Sequence, residues 1–325
     1  MKAQTISIIG LDRTGTSLGL ALKQSPLDLV VVGHDPDSNR SRAAQALGAI
    51  DKSARNLGKA AAQADILVLA IPFSELKETL LGISNSVRNH TVIIDLSDLK
   101  EPGIIWAQKF QLEGHYVGAR LVMAAPSLSD GRNATELADA ALFQNSLYCV
   151  IPDAKADPAA VETAVNFGRL IGAKPYFLSP KEHDVLVQGT ETMPGLMAAS
   201  LFSAVHKTIA WRDMLRFADL PFALTTLPLQ NSDDIVHLAL NDKEATLRWL
   251  NAVITEMQEI RQWVYEGDAD LLTARLEEMM FQREKWLRER TRNEWLEDTG
   301  STYKQTFSEH LFGGLANLRG PDDKS

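Results

Sequence analysis

Residues 5–35 read TISIIGLDRTGTSLGLALKQSPLDLVVVGHD, and this stretch decides the fold of the N-terminal half. A β-branched apolar run ends at Gly10, a helical pattern continues to Lys23, and a second β-branched run ends at Asp35. This order predicts a strand, a tight glycine turn, a helix and a second strand. A βαβ unit of this kind binds a dinucleotide, with the pyrophosphate on the helix N-terminus and the ribose hydroxyls on the acid after the second strand.

The glycine turn departs from the G-x-G-x-x-G pattern at its middle position. Gly10 makes the sharp turn out of the strand, and Gly15 lets the helix pack tightly against it. Asp12 replaces the glycine that would let the main chain touch the pyrophosphate. The repulsion between this carboxylate and a phosphate about 4 Å away would cost about 1 kcal/mol in water and up to about 4 kcal/mol near a protein surface. Arg13 either contacts a phosphate or neutralises Asp12, and with Thr14 these residues form the predicted phosphate-binding turn.

Asp35 follows the second strand at the spacing expected of a ribose-binding acid. A carboxylate there accepts hydrogen bonds from the ribose and repels a 2′-phosphate, so NAD is favoured over NADP. The alternative is that Asp35 is a turn or cap residue ahead of Pro36 and the next helix. The predicted cofactor site also includes Ile71 and Pro72, which end a later apolar run.

Composition and charge favour a small-molecule partner. The chain has 325 residues, 45% of them hydrophobic and 23% charged, which is typical of globular proteins and long enough for two domains. A net charge of −9 disfavours nucleic acid and anionic membranes as partners. The single cysteine, Cys149, excludes an intrachain disulfide, and we expect a cytoplasmic protein. No apolar run is long enough to span a bilayer, and no histidine spacing predicts a metal site.

Strand-like runs recur up to residue 180, and segments with helical spacing separate most of them. The runs are TISIIG, LVVVG, DILVLAIP, TVIIDL, HYVGARLVM, SLYCVIP and KPYFL. Their alternation with helical segments predicts an α/β domain that has a mostly parallel sheet with helices on both faces.

After Pro180 the strand patterns cease and the chain reads helical. An apolar stripe of three- and four-residue steps marks one long helix: Leu247, Leu250, Ile254, Met257 and Val264. A further helix is predicted over residues 271–292. Such a stripe packs either on a second subunit or within the chain. We divide the chain into domains at 1–180 and 181–296, followed by a peripheral tail at 297–325.

The order of segments resembles the prephenate and arogenate dehydrogenases of tyrosine biosynthesis, over roughly residues 4–290. The resemblance rests on IIGLDRTGTSLGLALK, ADILVLAIP, IIDLSDLK, ADAALFQNSLYCVIP, GAKPYFLSPKEHD and TMPGLMAASL, followed by NDKEATLRWLNAVITEM. It implies an N-terminal Rossmann domain with a doubly wound parallel sheet that holds NAD(P). It also implies an all-α C-terminal domain that dimerises and closes the substrate cleft.

The chemistry implied by the resemblance is oxidative decarboxylation of a cyclohexadienol, in which a histidine accepts the hydroxyl proton. That histidine belongs in a Gly-Gly-His-Pro segment, where this chain has Gly118, Ala119, Arg120 and Leu121. A second histidine of the family falls on Thr192. Arg120 cannot serve as the base, because arginine does not deprotonate in proteins.

Other positions bear on the substrate. The family's Asp-x-x-Ser-x-Lys segment appears here with Asp95, Asp98 and Lys100, so that an aspartate replaces the serine. Lys100 and Arg120 favour a small anionic substrate. Lys100 acts as a proton acceptor if desolvation lowers its pKa, or else it forms an ordinary ion pair with Asp95 or Asp98. Residues 217–228 lack the arginine that the resemblance expects to hold a substrate carboxylate.

Two hypotheses follow. The first is an NAD-dependent oxidoreductase of this family that acts on prephenate, arogenate or a different small acid. The second is a non-catalytic dinucleotide-binding or regulatory member, because several expected site residues are absent and a fold does not guarantee a function. Both predict a homodimer that binds NAD in preference to NADP and has neither nucleic acid nor a membrane as its partner.

Overall fold

The computed structural model describes residues 4–124 and 133–292. The strands are β1 (Gln4–Ile9), β2 (Leu29–His34), β3 (Lys52–Ser53), β4 (Ile66–Leu69), β5 (Val92–Asp95), β6 (His115–Val122), β7 (Leu147–Ile151) and β8 (Lys174–Phe177). They form one sheet in the order β3-β2-β1-β4-β5-β6-β7-β8. Strands β1 to β6 are parallel, whereas β7 runs antiparallel to β6 and parallel to β8. The predicted α/β class is confirmed, and the order β3-β2-β1-β4-β5-β6 is that of a doubly wound Rossmann sheet.

Helices cover both faces of this sheet. They are α1 (Arg13–Lys23), α2 (Ser38–Ala46), α3 (Leu57–Gln63), α4 (Phe73–Ile83), α5 (Glu101–Lys109) and α6 (Pro158–Leu170). Alternate strand residues such as Ile6 and Ile8 belong to one apolar core with Leu18 of α1 and Phe167 of α6. On the opposite face, the Ser7 hydroxyl donates to the Ala60 carbonyl of α3 at 2.8 Å. The alternation of strand side chains therefore fixes two buried layers, one on each side of the sheet.

The seven predicted strand runs all contain strands of the sheet. The two-residue strand β3 lay in none of those runs, because a segment as short as Lys52–Ser53 carries no periodicity. Strands β4, β5 and β7 are buried along their whole length. This burial explains why they read as continuous apolar runs rather than as alternating ones.

The residues from Lys181 to Phe281 form a second compact unit, and the first unit holds the described residues up to Pro180 together with those from Gln282 onward. The remaining helices are α7 (Pro180–Val187), α8 (Met193–His206), α9 (Trp211–Phe217), α10 (Leu220–Thr226), α11 (Ser232–Asn241), α12 (Lys243–Glu266) and α13 (Ala269–Arg292). A π-helical turn at Gln188–Thr192 joins α7 to α8, and a 3-10 turn spans Leu227–Gln230.

The helical character predicted after Pro180 is confirmed, since residues 181–292 contain no strand. The assignment of domain roles stays a prediction, and the tail predicted at 297–325 lies outside the described residues. Among the helices that the structure describes, none combines the length and apolar character needed to cross a membrane.

Candidate functional site

The β1–α1 turn keeps the two glycines that its geometry requires. Gly10 has a φ of +90°, and a Cβ atom there would lie 2.1 Å from the carbonyl oxygen of Ala70. A Cβ on Gly15 would lie 1.9 Å from the carbonyl oxygen of Gly10. Neither position admits a side chain, because the strand ends and the first helical turn approach each other too closely. The roles predicted for both glycines therefore have a direct steric cause.

Asp12 is the N-cap residue of α1. Its Oδ1 atom accepts a hydrogen bond from the backbone N–H of Gly15 at 3.0 Å, which is the usual contact of a capping carboxylate. Its Oδ2 atom accepts a hydrogen bond from Asn133 Nδ2 at 2.6 Å. The carboxylate thus occupies the helix N-terminus, where the resemblance expects a pyrophosphate.

Residues 133–139 pack against the same turn. The backbone N–H of Arg13 donates to the carbonyl of Asn133 at 3.3 Å, and the Thr135 hydroxyl donates to the carbonyl of Leu11 at 2.8 Å. The N–H of Asp139 donates to Ser17 Oγ at 3.0 Å. No contact between this segment and the turn was predicted, because a contact such as Asp12–Asn133, across 121 positions, leaves no local pattern.

Asp35 lies at the end of β2 and directly supports the turn. Its Oδ2 atom accepts from the N–H of Leu11 at 2.8 Å, and its Oδ1 atom accepts from the N–H of Asp37 at 2.8 Å. The guanidinium of Arg40 lies 3.7 Å from Oδ2. These contacts are those of the alternative role of Asp35, a turn residue ahead of Pro36. They also leave carboxylate lone pairs for a ribose hydroxyl, because each oxygen accepts two hydrogen bonds.

A cavity of about 440 Å³ opens beside Asp35. Its walls include His34, Arg42 and Arg55, so the space next to the acid also has basic neighbours. A neutral ribose hydroxyl suits the carboxylate, whereas a 2′-phosphate would suit the guanidinium groups. The acid at this cavity therefore favours NAD, whereas the guanidinium groups favour NADP.

The end of β4 completes the surroundings of the turn. The Ala70 N–H donates to the carbonyl of Ile9 at 2.8 Å, and Ile71 Cγ2 would lie 3.1 Å from a Cβ on Gly10. Pro72 is the N-cap residue of α4. The predicted cofactor residues at 10–15, 35 and 71–72 therefore lie at one edge of the sheet, where the carboxyl ends of neighbouring parallel strands meet.

Lys100 is fully buried after β5. Its Nζ atom donates to the backbone carbonyl of Asp95 at 3.0 Å, to Asp95 Oδ2 at 3.2 Å, and to the carbonyl of Ser97. Tyr116 donates its hydroxyl to the same Asp95 Oδ2 atom at 2.6 Å. An ammonium group has three donors, and these acceptors use all of them. The geometry supports the ion pair that was weighed against catalysis, and a catalytic role for Lys100 stays a prediction.

Arg120 lies on β6 and is paired with Asp98. The distance from Arg120 Nη1 to Asp98 Oδ1 is 2.5 Å, and the two side chains are 17% and 26% exposed. Across the antiparallel pair, Arg120 is opposite Cys149 of β7. Burial raises the pKa of Cys149 to about 11, although the nearby charges of Arg120 and Lys100 act in the opposite direction. The residues at the family's histidine and serine positions thus form one ion pair.

The position of the second family histidine, Thr192, is in the helical unit. Thr192 is fully buried at the end of the π-helical turn. In the same turn, Gln188 donates through Nε2 to the carbonyl of Leu238 at 2.9 Å and accepts from the Thr246 hydroxyl at 3.0 Å. Single π-helical turns inside α-helices are frequent at functional sites. Sequence periodicity did not indicate this one, since it differs from an α-helix by a single inserted residue.

Comparisons with known proteins support the family resemblance and the fold. Residues 18–177 match the family model of the nucleotide-binding domain of prephenate dehydrogenase. This nucleotide-binding part of the chain belongs to the prephenate dehydrogenase family. The prephenate dehydrogenase of Bacillus subtilis is 26% identical over 277 residues, which cover 82% of this chain and 72% of that protein. The cyclohexadienyl dehydrogenase of Zymomonas mobilis is 22% identical, over 84% of this chain and 92% of its own length.

Solved structures share the fold of this family member. The prephenate dehydrogenase of Aquifex aeolicus, solved with hydroxyphenyl propionate and NAD+, has a TM-score of 0.76 at 17% identity and covers 88% of this chain and 99% of its own. The arogenate dehydrogenase of Synechocystis has a TM-score of 0.67 at 18% identity and covers 87% of this chain and 100% of its own. The expected resemblance is therefore confirmed at the level of both family and fold.

Proposed function

We propose that this chain is an NAD(P)-dependent dehydrogenase that oxidises a small anionic hydroxy compound, with prephenate and arogenate as the first candidates. The single observation that carries the proposal is the β1–α1 turn. Gly10 and Gly15 occupy positions where no other residue fits, and Asp35 bonds to the main chain of that turn at 2.8 Å. In a nucleotide-binding family, such a turn is the expected binding site of a dinucleotide.

Most residues of the predicted site suit a dinucleotide, but one residue does not. The two glycines, the N–H groups of the first turn of α1 and the acid at 35 suit a pyrophosphate and a ribose. Asp12 does not suit a phosphate, because its carboxylate already bonds to Gly15 N. When it is bound, the coenzyme supplies the hydride acceptor. We propose NAD as the coenzyme, with NADP less favoured because of the acid at 35.

Arg120 is our candidate for binding an anionic substrate group. Its guanidinium is held by Asp98 at 2.5 Å, and a guanidinium matches the two oxygens of a carboxylate. Asp98 then acts as a positioning residue, since it fixes the orientation of the guanidinium. The side chain at 120 binds and orients but does not accept the hydroxyl proton, because arginine stays protonated.

One assay tests the proposed activity. Purified protein is incubated with NAD or NADP and with prephenate or arogenate, and nicotinamide reduction is followed together with hydroxyphenylpyruvate or tyrosine formation. We expect reduction with one of these four combinations. Arg120→Lys, which keeps the charge but loses the planar fork, should raise the substrate KM by about tenfold and leave the coenzyme KM unchanged. Coenzyme binding without turnover of either substrate would favour a different small acid or the non-catalytic hypothesis.

We also propose a homodimer, supported by apolar side chains that α12 and α13 leave exposed. These include Leu247, Ile254, Met257, Val264 and Leu276, each exposed over at least 48% of its surface. Exposed apolar patches of this kind mark protein interfaces. Analytical ultracentrifugation should give a dimer mass, and Ile254→Glu should shift the chain to a monomer. Glu256→Gln, on the same helix, is the matched control and should leave the mass unchanged.

A further inference from the structure

The N-terminus of α1 is already supplied with an anion by this chain. A helix N-terminus carries N–H groups without helical acceptors and a partial positive charge, and both attract an anion. In α1 the Asp12 carboxylate takes this place, with its Oδ1 atom 3.0 Å from Gly15 N. A bound pyrophosphate would need the same donors and would bring a second negative charge to the same point.

Asn133 holds this carboxylate in place from outside the turn. Its side-chain amide donates to Asp12 Oδ2 at 2.6 Å, while its own backbone carbonyl accepts the Arg13 N–H at 3.3 Å. Both oxygens of Asp12 are thus bonded within the chain. Two backbone donors of the first turn, those of Arg13 and Gly15, are bonded within the chain as well.

The segment that carries Asn133 is anchored by contacts that do not involve Asp12. The buried Thr135 donates its hydroxyl to the carbonyl of Leu11 at 2.8 Å. The Asp139 N–H donates to Ser17 Oγ at 3.0 Å. These contacts are separate from the two hydrogen bonds that Asn133 itself makes to the turn. The position of Asn133 is therefore a feature of the packing of residues 133–139.

We propose that Asp12 and Asn133 set the coenzyme affinity of this chain by occupying the pyrophosphate position from within. A bound dinucleotide would have to displace the Asp12 carboxylate from Gly15 N and the Asn133 carbonyl from Arg13 N. This inference rests on the proposed function, since it concerns the same dinucleotide site. In this proposal Asp12 has a structural role as the cap of α1, although its charge opposes a phosphate at the same place.

Isothermal titration calorimetry with NAD+ and with NADP+ tests the proposal on the full chain. Asp12→Asn keeps a good N-cap side chain and removes the charge, so α1 is retained. The lost repulsion should tighten binding by about fivefold or more. Asn133→Ala removes the amide that fixes the carboxylate and should tighten binding by about threefold or more. Asn251→Ala, at an exposed site on α12, is the matched control and should leave binding unchanged.

The double variant Asp12→Asn/Asn133→Ala sharpens the test. Its fold increase in coenzyme affinity should be smaller than the product of the two single increases, because both substitutions act on the same fixed Asp12 carboxylate. Thermal unfolding of each variant verifies that the fold is kept. Equal or weaker binding by the variants, beside measurable binding by the unchanged chain, would overturn this inference and leave the proposed function standing. No binding by any variant would overturn both the inference and the proposed dinucleotide site.

Discussion

Two aspartates, Asp12 in the β1–α1 turn and Asp98 after β5, stand where the family resemblance expects a small uncharged residue. Asp12 is held by uncharged donors, the Gly15 N–H and the Asn133 amide. Asp98 is held by the guanidinium of Arg120 at 2.5 Å. The first carboxylate therefore faces a helix N-terminus with uncharged hydrogen-bond partners, whereas the second is paired with a cation. The predicted coenzyme-binding region, residues 10–15 with Asp35, is called the coenzyme edge, and it differs from the family by one opposing charge. The predicted substrate-binding region, Asp98, Lys100 and Arg120, is called the substrate edge, and it differs by a matched pair.

The comparison has consequences for how each region tolerates change. Loss of the charge at Asp12 removes an obstacle and leaves no partner charge behind. Loss of Asp98 removes the carboxylate that pairs with Arg120, so we expect a substitution at one of these positions to affect the role of the other. Asp12→Gly alone would remove the opposing charge from the turn, whereas a single substitution at Asp98 or Arg120 would remove only one charge of the pair.

The largest effect is expected at the buried frame behind the substrate edge. Lys100→Met leaves the fully buried carboxylate of Asp95 without its cation, and the free energy of unfolding should fall by about 3–5 kcal/mol. Urea denaturation measures this loss. The double variant Lys100→Met/Asp95→Asn removes both charges and should recover part of the stability. A loss below about 1 kcal/mol in the single variant would mean that this ion pair does not support the edge.

A smaller effect is expected at the frame of the coenzyme edge. Gly10→Ala places a Cβ 2.1 Å from the carbonyl oxygen of Ala70 at a φ of +90°, so the unfolding free energy should fall by about 3 kcal/mol. Gly48→Ala is the matched control, because Gly48 has a φ of +75° and no atom within 4 Å of the added Cβ. It should cost about 1 kcal/mol, for backbone strain alone. Equal losses in the two variants would show that the contact with Ala70 is not tight.

The sequence allowed the sheet and the glycine turn to be predicted because their causes are local. Runs such as DILVLAIP are apolar throughout, and strand β4 within that run is buried along its whole length. Gly10 and Gly15 are read from their spacing, whereas the capping role of Asp12 was not predicted, although its place before a helical pattern is a signal for a cap. The ion pair between Asp98 and Arg120 was not predicted, because the strand patterns do not say which strands are neighbours in the sheet.

The contact between Asp12 and Asn133 could not be predicted in the same way. The two residues are 121 positions apart, and what brings them together is the path of residues 133–139 over the turn. The ion pair of Lys100 with Asp95 was foreseen only as one of two alternatives, because its burial depends on how β5 and β6 pack. Side-chain burial of this kind is a property of the assembled sheet and not of a local pattern.

The smallest effect is expected for the coupling between Asp98 and Arg120. In a double-mutant cycle, Asp98→Ala, Arg120→Ala and the double variant should give a coupling energy of about 1 kcal/mol, because the pair is only partly exposed. Raising the salt concentration to about 1 M should reduce this coupling, since screening acts on partly exposed charges. A coupling of zero would mean that Asp98 stands as unneutralised as Asp12, and the two edges would then differ from the family in the same way. A clear coupling means that Asp98 holds the Arg120 guanidinium in place, so Asp98→Ala should raise the substrate KM while coenzyme binding stays unchanged.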